Sequence, residues 1–221
     1  MIILGFGNKA RGGKDTAAAG VQEFCSDEKI NCKRVGFADA LKKEVNGALE
    51  KHGGDVELLL AYGPEPGVPF PDYVKADPNP DMTDPMMPLG KHSLLLQWWG
   101  TEYRRRWRPN YWVDKFHESV FNFEIVSREP RVVVVPDMRF VNEAIAITEM
   151  GGATVNVRRL NEDGTQYLDK SRPAGHQSEI ELDGWNYDYR IIAKSGQMSL
   201  VKAYAVEILK HQMRLARKWE N

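Results

Sequence analysis

The chain has 221 residues, 42% of them hydrophobic, with 30 Lys plus Arg set against 31 Asp plus Glu. That length suits a single α/β domain with one inserted segment and allows a substantial core. The near-neutral charge gives no overall field that would hold the molecule on DNA or an acidic membrane, so any anion site has to be local. Cys25 and Cys32 lack a CxxC spacing and a neighbouring His, which points away from zinc or a disulfide framework and towards two reduced structural thiols.

The apolar start, MIILGFG, turns Gly-rich and basic at once, too short for a signal peptide or a membrane span. A soluble, cytoplasmic protein is expected. Residues 2–6 read as a buried strand, a Gly/Lys/Arg-rich turn follows, and the Ala-rich run 16–24 reads as a helix. Residues 33–37 resemble a second strand feeding a helix over 38–51 that stops at Gly53-Gly54, with a shorter helical run over 56–61.

From 63 to 88 the composition changes. Prolines stand at 64, 66, 69, 71, 78, 80, 85 and 88, a density that forbids a regular helix or central strand. The stretch reads as one long surface excursion, either a functional flap or an inert insertion. Helical character returns at 93, passes through QWWGTEYRRRWRPNYWV and continues towards 123. Residues 131–135 carry four consecutive valines, the signature of a strand buried on both faces of a parallel sheet. A helix over 141–150 and strands over 153–157 and 189–193 follow. The last helix, 199–218, places Leu200, Tyr204, Ile208, Leu209 and Met213 on one stripe. This alternation predicts an α/β fold, three-layered, with a mostly parallel central sheet.

The turn GNKARGGKDT sits between the first strand and the first helix, the context a phosphate-binding loop requires. Glycines let backbone N–H groups crowd round a phosphate, the helix N-terminus adds partial positive charge, and Lys14 can reach the outer phosphates of a nucleotide. The usual pattern is G-x-x-x-x-G-K-[ST]. Gly7 stands one residue too far from Gly13, so either Asn8 takes the first-glycine position or the loop is larger. Asp15 occupies the place where Ser or Thr normally meets magnesium, and Thr16 follows, so a carboxylate and a hydroxyl are both available to the metal or its waters.

The guanine-selecting N-K-x-D signature of GTPases is missing from the sequence, and the strand at 132–135 ends in Pro136-Asp137-Met138-Arg139 without the acidic pair of a motor ATPase. Phosphoryl transfer between two anions needs positive charge on both phosphates. Arg104, Arg105, Arg106 and Arg108 form one candidate cluster, and Arg139 stands just past a buried strand end, where ligands bind in open α/β sheets. Trp98, Trp99, Trp107 and Trp112 either stack on a base or fill the core.

Several ordered blocks then point one way: KARGGKDT at the loop, FADALK at 37–42, LQWWGTE and YWV within 96–113, VVPDMRFVNEA at 134–144 and MGGATVNV at 150–157. Through them the chain resembles the bacteriophage deoxynucleoside monophosphate kinases over most of its length. The resemblance implies a P-loop nucleoside monophosphate kinase-like fold in a single domain over 1–221, with ATP and Mg2+ as cofactors and small-molecule nucleotides as partners. It implies neither a nucleic-acid nor a membrane partner, leaves a homodimer open, and places a phage protein in the host cytoplasm. Arg11, Gly12, Gly13, Lys14, Asp15 and Thr16 would contact ATP, with Asp15 and Thr16 also at the metal. Lys9 would reach towards the acceptor phosphate, and Lys42, Gly100, Thr101, Arg104, Arg105, Trp112, Asp137, Arg139 and Glu143 would surround the deoxynucleotide. The segment His176-Gln177-Ser178-Glu179 is similar to the family's later H-x-[ST]-E, which brings Ser178 to the substrate. Lys14, Arg139 and Asp137 would carry catalysis. The stretch 63–88 has no counterpart in that family. Phosphomevalonate kinases have a similar loop and F-A-x-x-L-K segment, so a phosphorylated non-nucleotide acceptor stays open, as does a nucleotide-binding module without turnover.

Overall fold

The computed structural model describes residues 1–75, 82, 84–126, 131–169 and 175–219. Pro78 and Pro80, at the centre of the Pro-rich stretch, lie outside the described residues. The chain order is β1 (Ile2–Gly7), α1 (Lys14–Asp27), β2 (Asn31–Arg34), α2 (Ala38–Lys51), α3 (Val56–Tyr62), α4 (Asp72–Lys75) and α5 (Ser93–Trp98). A π-helical segment (Trp99–Arg105) follows, then α6 (Tyr111–Val126), β3 (Arg131–Met138), α7 (Val141–Glu149), β4 (Ala153–Leu160), α8 (Gln177–Ile180), β5 (Tyr189–Lys194) and α9 (Met198–Trp219). Where sequence suggests one domain, contacts divide the chain into two compact units. One is discontinuous, Met1–Phe37 with Val113–Asn221, and the other is the continuous Ala38–Trp112.

In the discontinuous unit, five strands among the described residues form one all-parallel sheet in the order β2-β3-β1-β4-β5. The valine run explains how it is covered. Successive side chains of a strand point to opposite faces, so Val132 and Val134 enter one core with α1 and α9, while Val133 and Val135 enter another with α6 and α7. The sheet is therefore sandwiched between two helical layers, a three-layer α/β architecture.

β3 runs on past the expected end at Val135. Its pairing with β1 shifts there, from Gly5 opposite Val135 to Gly7 opposite Met138, so one extra residue of β3 is accommodated at Pro136-Asp137. A bulge is where a central strand tolerates a proline, which has no N–H for the ladder. The second strand is shorter and earlier than expected, and Val35 and Phe37 pass from it into the core.

In α9 the expected stripe is corrected by one residue. Val201, Ala205, Ile208 and Leu209 are buried, and Leu200 and Tyr204 face outwards at 38% and 47% exposure. The partner is α1, whose contact face is Ala17, Ala18 and Val21. A Cβ on Gly20 would lie 2.7 Å from the Lys202 Cα. So close an approach leaves no room for a side chain at position 20 of α1.

The continuous unit has its own core, built from Leu41, Val45 and Leu49 of α2, Leu59 of α3, Phe70, Val74, Met87, and Leu95, Leu96, Trp98, Trp99, Tyr103 and Trp112 of the aromatic region. Phe70, Val74 and Met87 are all at or below 3% exposure, so the described part of the 63–88 stretch is anchored in a core and corrects the surface-excursion reading. α4 starts directly after Pro71, whose carbonyl accepts from Val74 N–H (3.0 Å); proline suits the start of a helix because its missing N–H would be unpaired there anyway. The helix expected over 93–123 is interrupted at Pro109, which has no amide hydrogen and disfavours helix at the residue before it. Among the described residues no helix is long and apolar enough to cross a membrane.

Candidate functional site

β1 and β3 are neighbours in the sheet, yet α1 leaves β1 towards one face and α7 leaves β3 towards the other. The two connections diverge beyond the strand ends and open a crevice there, the usual ligand position in such sheets. One wall is the turn from Asn8 to Gly13. Asn8 has φ 117°, Arg11 53° and Gly13 99°, all values that disfavour ordinary side chains. Asn8 is thus the residue that adopts a positive φ directly after β1. Its strain is held by its own side chain, which donates to Asn156 Oδ1 (3.0 Å) and to Val157 O (3.2 Å). The turn leaves an open pocket of about 170 Å³ lined by Arg11, Gly12, Gly13, Lys14, Asp15 and Thr16.

α1 begins at Lys14, and no side chain caps Gly13. The first N–H groups of the helix have no partner within it and carry the positive end of its dipole to the pocket. Lys14 is 5% exposed, and its ammonium donates to Asn8 O (3.0 Å) and Lys9 O (2.6 Å). A buried ammonium is thereby held on backbone carbonyls of the loop that carries it. Arg11 is mostly exposed and pairs with Asp169 (3.3 Å). Asp15 is exposed and meets Arg34 (3.3 Å). Lys9 turns to the other wall, bonding Asp183 Oδ1 (2.5 Å) and the Glu179 carbonyl.

The second wall is the end of β3 with α8. Asp137, aimed by the bulge, accepts from Phe37 N–H (3.0 Å). Glu143 is buried at 2% exposure and reaches back over the start of α7, accepting from Arg139 N–H (2.7 Å) and Phe140 N–H (3.1 Å). It therefore shapes the backbone that presents Arg139. Among the described residues the Arg139 guanidinium uses Nη1 alone, towards Ser178 O (3.3 Å) and Glu179 Oε1 (2.5 Å). Glu179 Oε2 accepts from Ala10 N–H (2.8 Å). Ser178 is buried, its Oγ 2.9 Å from His176 Nδ1. Lys9, the loop, Lys14, Asp137, Arg139, Glu143 and Ser178 thus gather at one end of the sheet.

Lys42, Gly100, Thr101, Arg104, Arg105 and Trp112 belong to the continuous unit. Lys42 pairs with Asp84 (2.8 Å). Arg104 is committed to Glu44, whose carboxylate also accepts from Trp99 Nε1 (3.0 Å) and Tyr111 OH (3.2 Å). Its guanidinium carbon lies 4.5 Å from the centre of the Tyr103 ring. Burial tends to lower the Arg104 pKa, but Glu44 more than offsets this and holds it above its ordinary value. Trp112 is buried and donates to Gly100 O (2.9 Å). Gly100 is packed so that a Cβ would approach Leu41 to 3.0 Å. Thr101 is half-buried in the π-helical segment, and Arg105 Nη1 donates to Pro109 O (3.2 Å). Trp98 and Trp99 also fill core, whereas Trp107 is 78% exposed.

The chain matches no protein-family model and no curated protein.

What the first unit can do follows from its donors. A pocket lined by a helix N-terminus and a lysine, with an arginine near one end of the same crevice, suits a polyphosphate. The Asp15 carboxylate and the Thr16 hydroxyl line the same pocket and are hard oxygen donors of the kind magnesium accepts. No group of three or more His, Cys, Asp or Glu gathers as a metal cage among the described residues. Glu179 and Asp183, which bond Lys9, Ala10 and Arg139, were not among the expected site residues. Glu179 stood within a quoted motif, but its pairing with Ala10 and Arg139 spans 169 and 40 residues of chain, a separation that local pattern does not reveal.

Proposed function

We infer that the chain is a P-loop kinase, with a nucleoside monophosphate kinase-like fold, that transfers the γ-phosphoryl group of ATP to a deoxynucleoside monophosphate. The pocket at the β1–α1 turn carries this assignment, because it joins left-handed backbone at Asn8 and Gly13, an uncapped helix N-terminus and the ammonium of Lys14. In the transfer, the bond between the γ-phosphorus and the bridging oxygen breaks and its electron pair leaves with ADP. A bond forms from the γ-phosphorus to an oxygen of the acceptor phosphate, giving a dNDP. A phosphate monoester loses its second proton near pH 6, so the attacking oxygen is already ionised at neutral pH. The residues then need only bind, align and stabilise charge.

Lys14 and the N–H groups at the start of α1 hold the outer phosphates of ATP, with Arg11, Gly12 and Gly13 shaping their cradle. Arg139 faces the moving group, supported by Asp137 and Glu143, while Lys9 and Ser178 lie on the acceptor side. Mg2+, when bound with the nucleotide, neutralises charge on the β- and γ-oxygens, and Asp15 and Thr16 are the residues that would hold it. Lys42, Gly100, Thr101, Arg104, Arg105 and Trp112 enter as acceptor contacts through the family resemblance. On this assignment the protein works in the cytoplasm on small-molecule nucleotides.

Incubation with ATP, Mg2+ and each of the four dNMPs, following ADP release, tests the assignment. Release above background with at least one dNMP is expected. Background release with all four removes the nucleotide acceptor, release with phosphorylated non-nucleotides alone moves the acceptor class, and ATP binding without any release leaves a nucleotide-binding module.

A further inference from the structure

The carboxylate of Glu179 bonds both walls of the crevice at once. Oε2 takes the Ala10 amide of the phosphate loop (2.8 Å), and Oε1 takes Nη1 of Arg139 (2.5 Å). Its own carbonyl accepts from the Lys9 ammonium. The side chain is 8% exposed and that of Arg139 is 19% exposed, so the pair sits largely out of water, where a charge-assisted bond is strong and geometrically demanding. Arg139 spends only Nη1 on the protein, while Nε and Nη2 have no partner among the described residues. A guanidinium offers parallel N–H groups along its Nε–Nη2 edge, which matches two oxygens of a phosphate.

We propose that Glu179 is a positioning residue: it locks Arg139 by one nitrogen and ties it to the phosphate loop, so that the Nε–Nη2 edge is presented to a phosphate bound at that loop. This rests on the kinase assignment above. Glu179 touches no substrate itself. Glu179→Gln keeps one acceptor oxygen where two are needed, so either the Ala10 amide or the arginine loses its partner. Asp in its place is shorter by one methylene and cannot span both.

The experiment is a double-mutant cycle over Glu179→Gln and Arg139→Ala. It is read in kcat and KM for ADP release with the accepted monophosphate, in pyrophosphate affinity by calorimetry, and in thermal midpoint. Glu179→Gln is expected to lower kcat about 10- to 100-fold with KM for ATP changed less than about threefold and the midpoint nearly unmoved. In the Arg139→Ala background the same change adds less than about threefold, because its route of action is already gone. Unchanged kcat, or effects that multiply across the cycle, overturn the proposal. If wild-type protein transfers to no acceptor, the kinase assignment fails alone and pyrophosphate affinity decides. Each single variant then weakens binding without the two adding, whereas equal affinity in all four proteins, or none in the wild type, overturns the positioning role too.

Discussion

Lys14 is an ammonium at 5% exposure held by two carbonyls of its own loop, a cost that makes sense where an anion is to be met. Lys14→Met keeps most of the stem and removes the charge; pyrophosphate affinity should fall at least tenfold and kcat by about 10²-fold or more, measured by calorimetry and ADP release. Arg139→Lys keeps a charge but loses the planar edge, and a fall in kcat approaching 10³-fold is expected on the scale of arginines that touch a transferred group. Tyr187 bears on stability instead. Its hydroxyl is buried with no hydrogen-bond partner among the described residues, and burial pushes its pKa upwards. Tyr187→Phe removes an unsatisfied polar atom, so the unfolding free energy read from urea titration should hold or rise, by as much as about 1 kcal/mol. At this scale the glycines and Lys14 were legible because they stand together in one turn between β1 and α1, and Arg139 because it closely follows the valine run. It left Asn8 as one of two alternatives, since only the backbone angles decide which residue turns.

The elements were legible where one period governs them. α2 falls at the expected residues 38–51, where Leu41, Val45 and Leu49 recur on one face, and the valine run fixed a buried strand. They were less legible where tertiary packing decides which residues of an amphipathic helix are covered, as at Val201 and Ala205 of α9, or where a proline is absorbed by a bulge, as in β3. Lys42 of α2 shows how an element is pinned. Its partner Asp84 is raised in pKa by burial, but the Lys42 hydrogen bond and charge, the Met86 N–H and Lys91 together hold it below the usual carboxylate value. A pKa lower in the folded than in the unfolded chain means that protons favour unfolding. The stabilisation is therefore full above the unfolded value, about 3.9 for Asp, and is lost as pH falls through the folded value. Asp84→Asn should be less stable than wild type at pH 7, and its urea midpoint should decline less steeply over that acid window.

At the scale of the whole molecule the division into two units escaped the sequence. The Pro-rich stretch, expected as a surface excursion, lies inside the continuous unit, where Phe70, Val74 and Met87 are part of the core. The actual junctions fall at Phe37 and Val113, next to helical runs without a change in composition. Both are buried in the core of the discontinuous unit, at 3% and 6% exposure, and the Phe37 ring lies 4.3 Å from that of Phe116. The two chain ends that flank Ala38–Trp112 are therefore close together, and loop-closure cost grows only slowly with length. Replacing residues 38–112 by a Gly/Ser linker of about eight residues should thus leave the discontinuous unit able to fold. The shortened protein should melt cooperatively by circular dichroism and bind pyrophosphate within about tenfold of full-length affinity, because the loop, Lys14, Arg139 and Glu179 all remain. A broad, non-cooperative melt would instead mean that the sheet and its two helical layers depend on the continuous unit for stability.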